Sequence, residues 1–306
     1  MYFTKSFKKK SMKKIFFFLS FFIAQNLFAQ DDLLNMLQDK DSNEVNYTTA
    51  TFKTSRLINT HTTELQPVGE LQFLINHRFG LISDGFNKFY GLDAAYVRLG
   101  FEYGINKFWS VGIGRSGVDR LYDGFTKIKL LRQSSGAKNI PISAVLFLGL
   151  AAKTLDYSDN TVKYETKHYL TYTSQLIVAR KFNENFSLQL MPTYVHRNLA
   201  NTQADANGIF VMGIGGRLKL TKRFGIIGEY HYIFNDQLKK TFYDPISLGF
   251  EIETGGHVFQ LHVSNSRGMV EPQYLTQTEW SWGKGDIHFG FNIARTFSLS
   301  KKARGL

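Results

Sequence analysis

Residues 97–117 read VRLGFEYGINKFWSVGIGRSG, and two readings compete for them. Gly112, Gly114 and Gly117 fit the G-x-G-x-x-G spacing of a turn that receives a dinucleotide. That turn needs a strand before it, a helix after it and an acidic residue about 20 positions on. The other reading is two strands joined by the short turn INK (105–107). Val97, Leu99, Phe101 and Tyr103 share one face, while Tyr96, Arg98, Gly100 and Glu102 share the other, the period of a strand with two unlike faces. The next stretch, VDRLYDGF (118–125), has turn residues and then another alternating run, so no helix N-terminus is offered to a phosphate. The glycines repeat because the strand does. Gly112 and Gly114 fall with Ser110 on the inward face, where they leave space, and Val111 and Ile113 fall on the other.

The same pattern continues to the end of the chain. Alternating runs fall at about 70–80, 95–104, 108–116, 125–133, 141–152, 167–181, 186–197, 209–221, 225–234, 246–254, 257–264 and 285–297. Short connections (INK, SSGAKNI 134–140, FNEN 182–185, KRF 222–224, GG 255–256) alternate with longer ones at 81–94, 117–124, 153–166, 198–208, 235–245 and 265–284. Strict alternation, an even strand count and runs of about 9–11 residues are the marks of an outer-membrane barrel. In lipid only a closed sheet pairs every backbone group without helices. The expected fold is all-β: a closed antiparallel transmembrane barrel of twelve strands over residues 70–297, with aromatic girdles that include Phe108, Trp109, Phe186, Tyr194, Phe224, Phe234 and Phe297. Two runs strain the pattern. Residues 141–152 are apolar on both faces, and Pro192 predicts a bulge or break.

The N-terminus supplies the address. Lys5, Lys8, Lys9, Lys10, Lys13 and Lys14 precede IFFFLSFFIA (15–24) and a small residue, Ala29, which together read as a cleaved signal peptide over 1–29. The apolar run falls short of the roughly 18 residues of a spanning helix. Removing these six lysines, with no acid among residues 1–29, takes the formal charge from +12 to +6. The basic balance is therefore no argument for nucleic acid. The 306 residues contain no cysteine, which excludes disulfides and thiol chemistry. Residues 30–69 read as a periplasmic lead-in that offers a docking segment to a periplasmic partner, and 298–306 as a basic tail. Both chain ends are expected in the periplasm.

RLINTHTTELQPVGELQFLINHRFG (56–80) and residues 97–117 resemble an uncharacterised outer-membrane β-barrel family of Bacteroidetes-type bacteria. The resemblance implies the barrel fold and an outer-membrane location, and it carries no catalytic residue, because the family has no assigned activity. Outer-membrane lipid and the barrel-assembly machinery are the expected partners, with Phe297 as the terminal aromatic for assembly. The nine residues that follow it depart from the usual pattern.

On the inward face the sequence places Arg78, Arg98, Lys127, Lys129, Arg217 and Lys219, then Glu229, His231, Glu251, Glu253, His262, Asp286 and His288. Basic residues on early strands and acidic ones on late strands are expected either to form opposing walls, whose field tunes solute passage, or to pair and plug the interior. His262, Ser264 and His288, with Glu229 and His231, suggest a nucleophile and general base, as in barrel lipid hydrolases, but they point inward and no hydrolase motif surrounds Ser264. Their spacing lacks a compact metal-ligand pattern, so neither metal nor cofactor is expected. His61, with Thr60, Thr62, Thr63 and Glu64, reads as a plug or partner-docking block. The passive pore is the favoured function. The alternatives are a closed docking barrel and a barrel hydrolase.

Overall fold

A computed structural model describes residues 44–155, 164–200 and 206–299. The expected signal peptide, the first part of the lead-in and residues 300–306 lie outside the described residues. Chain tracing divides the described part into two units. The smaller, within 44–46 and 135–139, contains most of a two-stranded sheet, β1 (Val45–Tyr47) with β6 (Ser134–Gly136).

The larger unit is a closed antiparallel barrel of twelve strands. They are β2 (Glu70–Leu81), β3 (Ala95–Asn106), β4 (Trp109–Ser116), β5 (Leu121–Leu131), β7 (Ser143–Lys153), β8 (Leu170–Lys181), β9 (Phe186–Arg197), β10 (Gly208–Lys219), β11 (Phe224–Ile233), β12 (Ile246–Thr254), β13 (His257–Ser264) and β14 (His288–Ser298). Each strand pairs with the next in sequence, and β14 closes on β2 with a register shift between His288 and Gly290. The outer face carries Leu99, Phe101, Ile113, Leu148, Leu150, Phe210, Leu248 and Phe250, all exposed. Such a surface is unfavourable in water and suited to lipid. Among the described residues no helix is long and apolar enough to cross a membrane; the strands are.

Three expectations need correction. β5 begins at Leu121, four residues early, so the connection 117–120 is short. The one at 132–142, which holds β6, is longer. Loop lengths therefore do not alternate strictly. The strand's start was hidden on its outward face, where Gly124 and Thr126 carry little apolar signal. At Pro192 no bulge forms and β9 runs unbroken beside β10, so the expected break is confined to the other edge, where the pairing with β8 lapses between Thr193 and Leu190.

The third correction concerns the lead-in. Thr51–Gln66, read as part of a periplasmic lead-in with a plug as one of two readings for its His61 block, is inside the barrel and nearly all buried. The apolar inner face of β7 follows from this, since Val145 and Phe147 pack in a core cluster with Ile177 and Met191, with Leu65 of the inserted segment against it.

Candidate functional site

The inserted segment is a hairpin. Its arms meet through Thr62 N–H to Ser55 O (2.9 Å) and a bridge between Arg56 and His61, and Leu57 N–H to Thr60 O (2.8 Å) closes the turn. Threonines dominate the arms, and their branched side chains favour extended backbone. Both ends of the segment lie at the short-turn end of the barrel. Lys181 at the end of β8 donates to Thr49 O, and Val68 bridges Gly104 near the end of β3.

The tip is gripped at mid-lumen. The Glu229 carboxylate on β11 accepts three successive backbone N–H groups, from Ile58 (3.3 Å), Asn59 (3.0 Å) and Thr60 (3.2 Å). Successive amides converging on one anion are a favoured binding geometry. The Asn59 amide donates to Ser247 Oγ on β12 (2.9 Å) and accepts from the Arg78 guanidinium on β2. Asn292 on β14 donates to Ile58 O (3.0 Å), and Gln189 on β9 donates to His61 O (2.9 Å). Lower down, Ser55 donates to Gln72, Lys127 to Glu64 O, and Lys53 pairs with Glu253. The apolar share is small: Phe52, Leu57 and Ile58 pack with Ala179 and Ile227.

A second segment enters from the opposite end. The connection between β13 and β14 holds the helix α1 (Glu271–Thr276), whose six residues are all buried. Tyr274 and Leu275 join Val195, Ile209, Val211 and Ile233 of the wall in an apolar cluster, and the Tyr274 ring meets His231 at 5.4 Å between centroids. Glu271 reaches the hairpin: its Oε1 is 3.3 Å from Arg56 Nη1 and 3.6 Å from His61 Nε2. Burial raises the Glu271 carboxyl above its ordinary value, against the opposing pull of Arg56. Burial, reinforced by Arg56, Lys127 and Arg98, holds the His61 imidazole well below its ordinary value. That ring sits between Phe125 (4.5 Å) and Phe147 (4.4 Å).

The charged wall residues pair with near neighbours. Arg98 binds Asp123, Lys127 binds Glu102 (3.3 Å) and Arg217 binds Glu251. Opposing basic and acidic walls are therefore not what the lumen holds. Lys129, Lys219 and Glu253 sit half-buried toward the short-turn end. Asp286 precedes β14, where Ser83 donates to it (3.2 Å); it does not line the lumen. His231, His262 and Ser264 are buried inward. The hydroxyl of Ser264 is engaged by Ser247 Oγ (2.9 Å) and Ser266 N–H (3.1 Å), while His288 Nδ1 lies 2.9 Å from Phe79 O. Their hydrogen bonds do not make a nucleophile–base pair. Among the described residues no group of three or more His, Asp and Glu side chains is placed to hold a metal.

The inward glycines expected to leave space are sockets instead. A Cβ on Gly112 would overlap the Phe125 ring, and one on Gly114 or Gly100 would strike the Arg98 guanidinium. A Cβ on Gly215 would lie 2.7 Å from Leu57 Cδ2 of the hairpin. Two small cavities beside Phe125, of about 10 Å³ each, have room for about one water apiece.

Sequence reasoning missed Asp123 and Glu271, and it offered the hairpin's lumenal position only as the plug reading of the block around His61. Asp123 shares parity with Phe125 and Lys127, so extending the run backwards would have found it. Glu271 had only the following Pro272, a helix-start residue, to mark it.

A closed barrel with an apolar outside and a polar, filled inside defines the class: a membrane-spanning β-barrel with a plugged lumen. The chain belongs to the family described as "Membrane bound beta barrel domain (DUF5777)", whose model matches residues 52–297, hairpin included. A comparison with curated proteins finds no match. Among solved structures, the chain is similar to the KdgM porin in complex with disordered oligogalacturonate (9% identity, TM-score 0.47), covering 74% of this chain and 99% of that one. It is also similar to the NanC porin (7% identity, TM-score 0.46), covering 75% and 99%. The likeness is one of fold.

Proposed function

We propose that this protein is an outer-membrane channel for small solutes that its own N-terminal hairpin holds closed at rest, rather than a freely passive pore. In this reading the short-turn end faces the periplasm, which the even strand count and the basic-then-apolar pattern of the N-terminal sequence support. The observation that carries the reading is the Glu229 carboxylate at mid-lumen, which closes on three backbone N–H groups of the hairpin tip. Such a fastening is strong when made, yet it leaves groups that water solvates equally well.

The hairpin is built to leave. Its two ends are at the same end of the barrel, so withdrawal threads nothing through the lumen. The wall it would uncover is polar, since Gln72, Arg78, Gln189, Gln260 and Asn292 now bond the hairpin. His231 and His262 have no protein hydrogen-bond partner for either ring nitrogen, and an incompletely satisfied polar interior is poorer than an apolar one. That composition suits a surface meant to be wetted.

The test is conductance in a planar bilayer. The wild-type barrel is expected to be nearly silent. Replacing residues 52–66 by a Gly/Ser segment of equal length should give stable stepwise openings. A folded, heat-modifiable replacement that stays silent overturns the channel. It would favour the closed docking barrel, for which the apolar seating of Tyr274 and Leu275 on the wall is the supporting observation.

A further inference from the structure

An apolar groove of about 470 Å³ lies on the outer wall toward the long-loop end, across β3, β4, β5 and β7. That volume falls within the range of about 300–1,000 Å³ typical of small-molecule seats. Leu99, Ile113, Tyr122 and Leu150 form its sides. Its floor is Gly124, which faces outward between the inward Asp123 and Phe125. The nearest atom to a Cβ built there is Gly112 O at 4.0 Å. Among the described residues nothing fills the slot.

At its rim stands Arg115, one residue before the end of β4. It is exposed, points to the lipid side, and its guanidinium lies 5.5 Å from the centroid of the Tyr122 ring. Among the described residues no carboxylate lies within ion-pair distance of it, whereas the inward Arg98 and Arg217 each have one. A cation on the lipid face is tolerated near the interface and costly at the midplane. A position at the strand's end is therefore where an outward arginine can meet headgroups.

We propose that this groove is a seat for an anionic, acylated membrane lipid, one chain lying over Gly124 and the phosphate paired with Arg115. Moving a chain from bilayer to groove gains no hydrophobic energy, because lipid tails are already apolar. Selection therefore comes from shape at Gly124 and charge at Arg115. The proposal is independent of whether the lumen opens.

Native mass spectrometry of the full-length barrel in detergent tests it, with phosphatidylglycerol and phosphatidylcholine of identical chains as probes. One retained phosphatidylglycerol is expected, with about fivefold preference over phosphatidylcholine, the value of one arginine at an anionic surface. Arg115→Gln should abolish the preference while still retaining lipid, and Gly124→Leu should retain neither lipid. Both variants should stay heat-modifiable. Equal retention of the two probes, no retained lipid, or an Arg115→Gln variant with unchanged preference overturns the proposal. So does a wild-type dimer that Gly124→Leu splits, which would assign the groove to a second copy of this chain. Since Arg115 is on the surface, its variant keeps the test decisive even if Gly124→Leu does not fold.

Discussion

Glu229→Gln is the smallest change that should unfasten the hairpin. The native carboxylate takes the Ile58 and Thr60 amides on Oε2 and the Asn59 amide on Oε1. A glutamine keeps the shape but turns one oxygen into a donor. In its better orientation the remaining oxygen keeps the two amides of Ile58 and Thr60, and Asn59 N–H faces an NH₂. One buried donor left unsatisfied costs about 1–3 kcal/mol, and losing charge assistance on the other two adds to it. A total of about 2–4 kcal/mol against the closed state shifts the closed-to-open ratio about 30- to 700-fold. The assay is single-channel recording at equal protein insertion, counting open events for wild type, Glu229→Gln and the hairpin replacement. Glu229→Gln should open often and reclose, whereas the replacement should stay open. If Glu229→Gln is as silent as wild type while the replacement conducts, the carboxylate is not the latch and the reasoning fails.

Other consequences can be measured separately. Because the chain has no cysteine, Thr60→Cys is a unique thiol; it should resist a membrane-impermeant thiol reagent, and adding Glu229→Gln should expose it. Acid acts on the hairpin through His61, whose lowered value means the closed state keeps that contribution above about pH 6.5 and loses it as pH falls. Glu271 works the other way, since its raised value penalises the closed state at neutral pH and relieves it toward pH 4.5. Glu271→Gln should therefore open more steeply than wild type below about pH 6.5, and a pH series with a flat or inverted response would refute this. Asp123→Ala leaves the buried Arg98 without its anion and should cost about 3–5 kcal/mol, read as a lower midpoint of heat modifiability. Gly112→Ala should lower the same midpoint by overpacking Phe125, about 1–3 kcal/mol.

The barrel was legible because lipid outside and water or polar groups inside impose opposite chemistry on alternate residues, and residues 97–117 display that pattern plainly. Its strand ends were less legible where the outward face lacks apolar bulk, as at Gly124 and Thr126 of β5. The hairpin was legible only as one of two readings of the block around His61, plug or docking element, for a physical reason. Thr51–Gln66 satisfies its backbone against side chains more than 100 positions away, Gln189, Glu229 and Asn292, and a local pattern cannot record such partners. The inward glycines carried a signal that was real but ambiguous. A missing side chain means either open space or a neighbour's bulk, and only Phe125, Arg98 and Leu57 in place decide which.

The hairpin is the first part of the barrel unit to leave the N-terminus, yet its tip is held by β9, β11, β12 and β14 together with Arg78 of β2. Those strands converge on Asn59 and its neighbours only when twelve of them close in this register. A sheet closed one hairpin too early or too late would carry Glu229, Ser247 and Asn292 away from the tip. The segment that shuts the lumen is therefore also a gauge of circumference, carried in advance by the chain and matched only by a correctly counted ring.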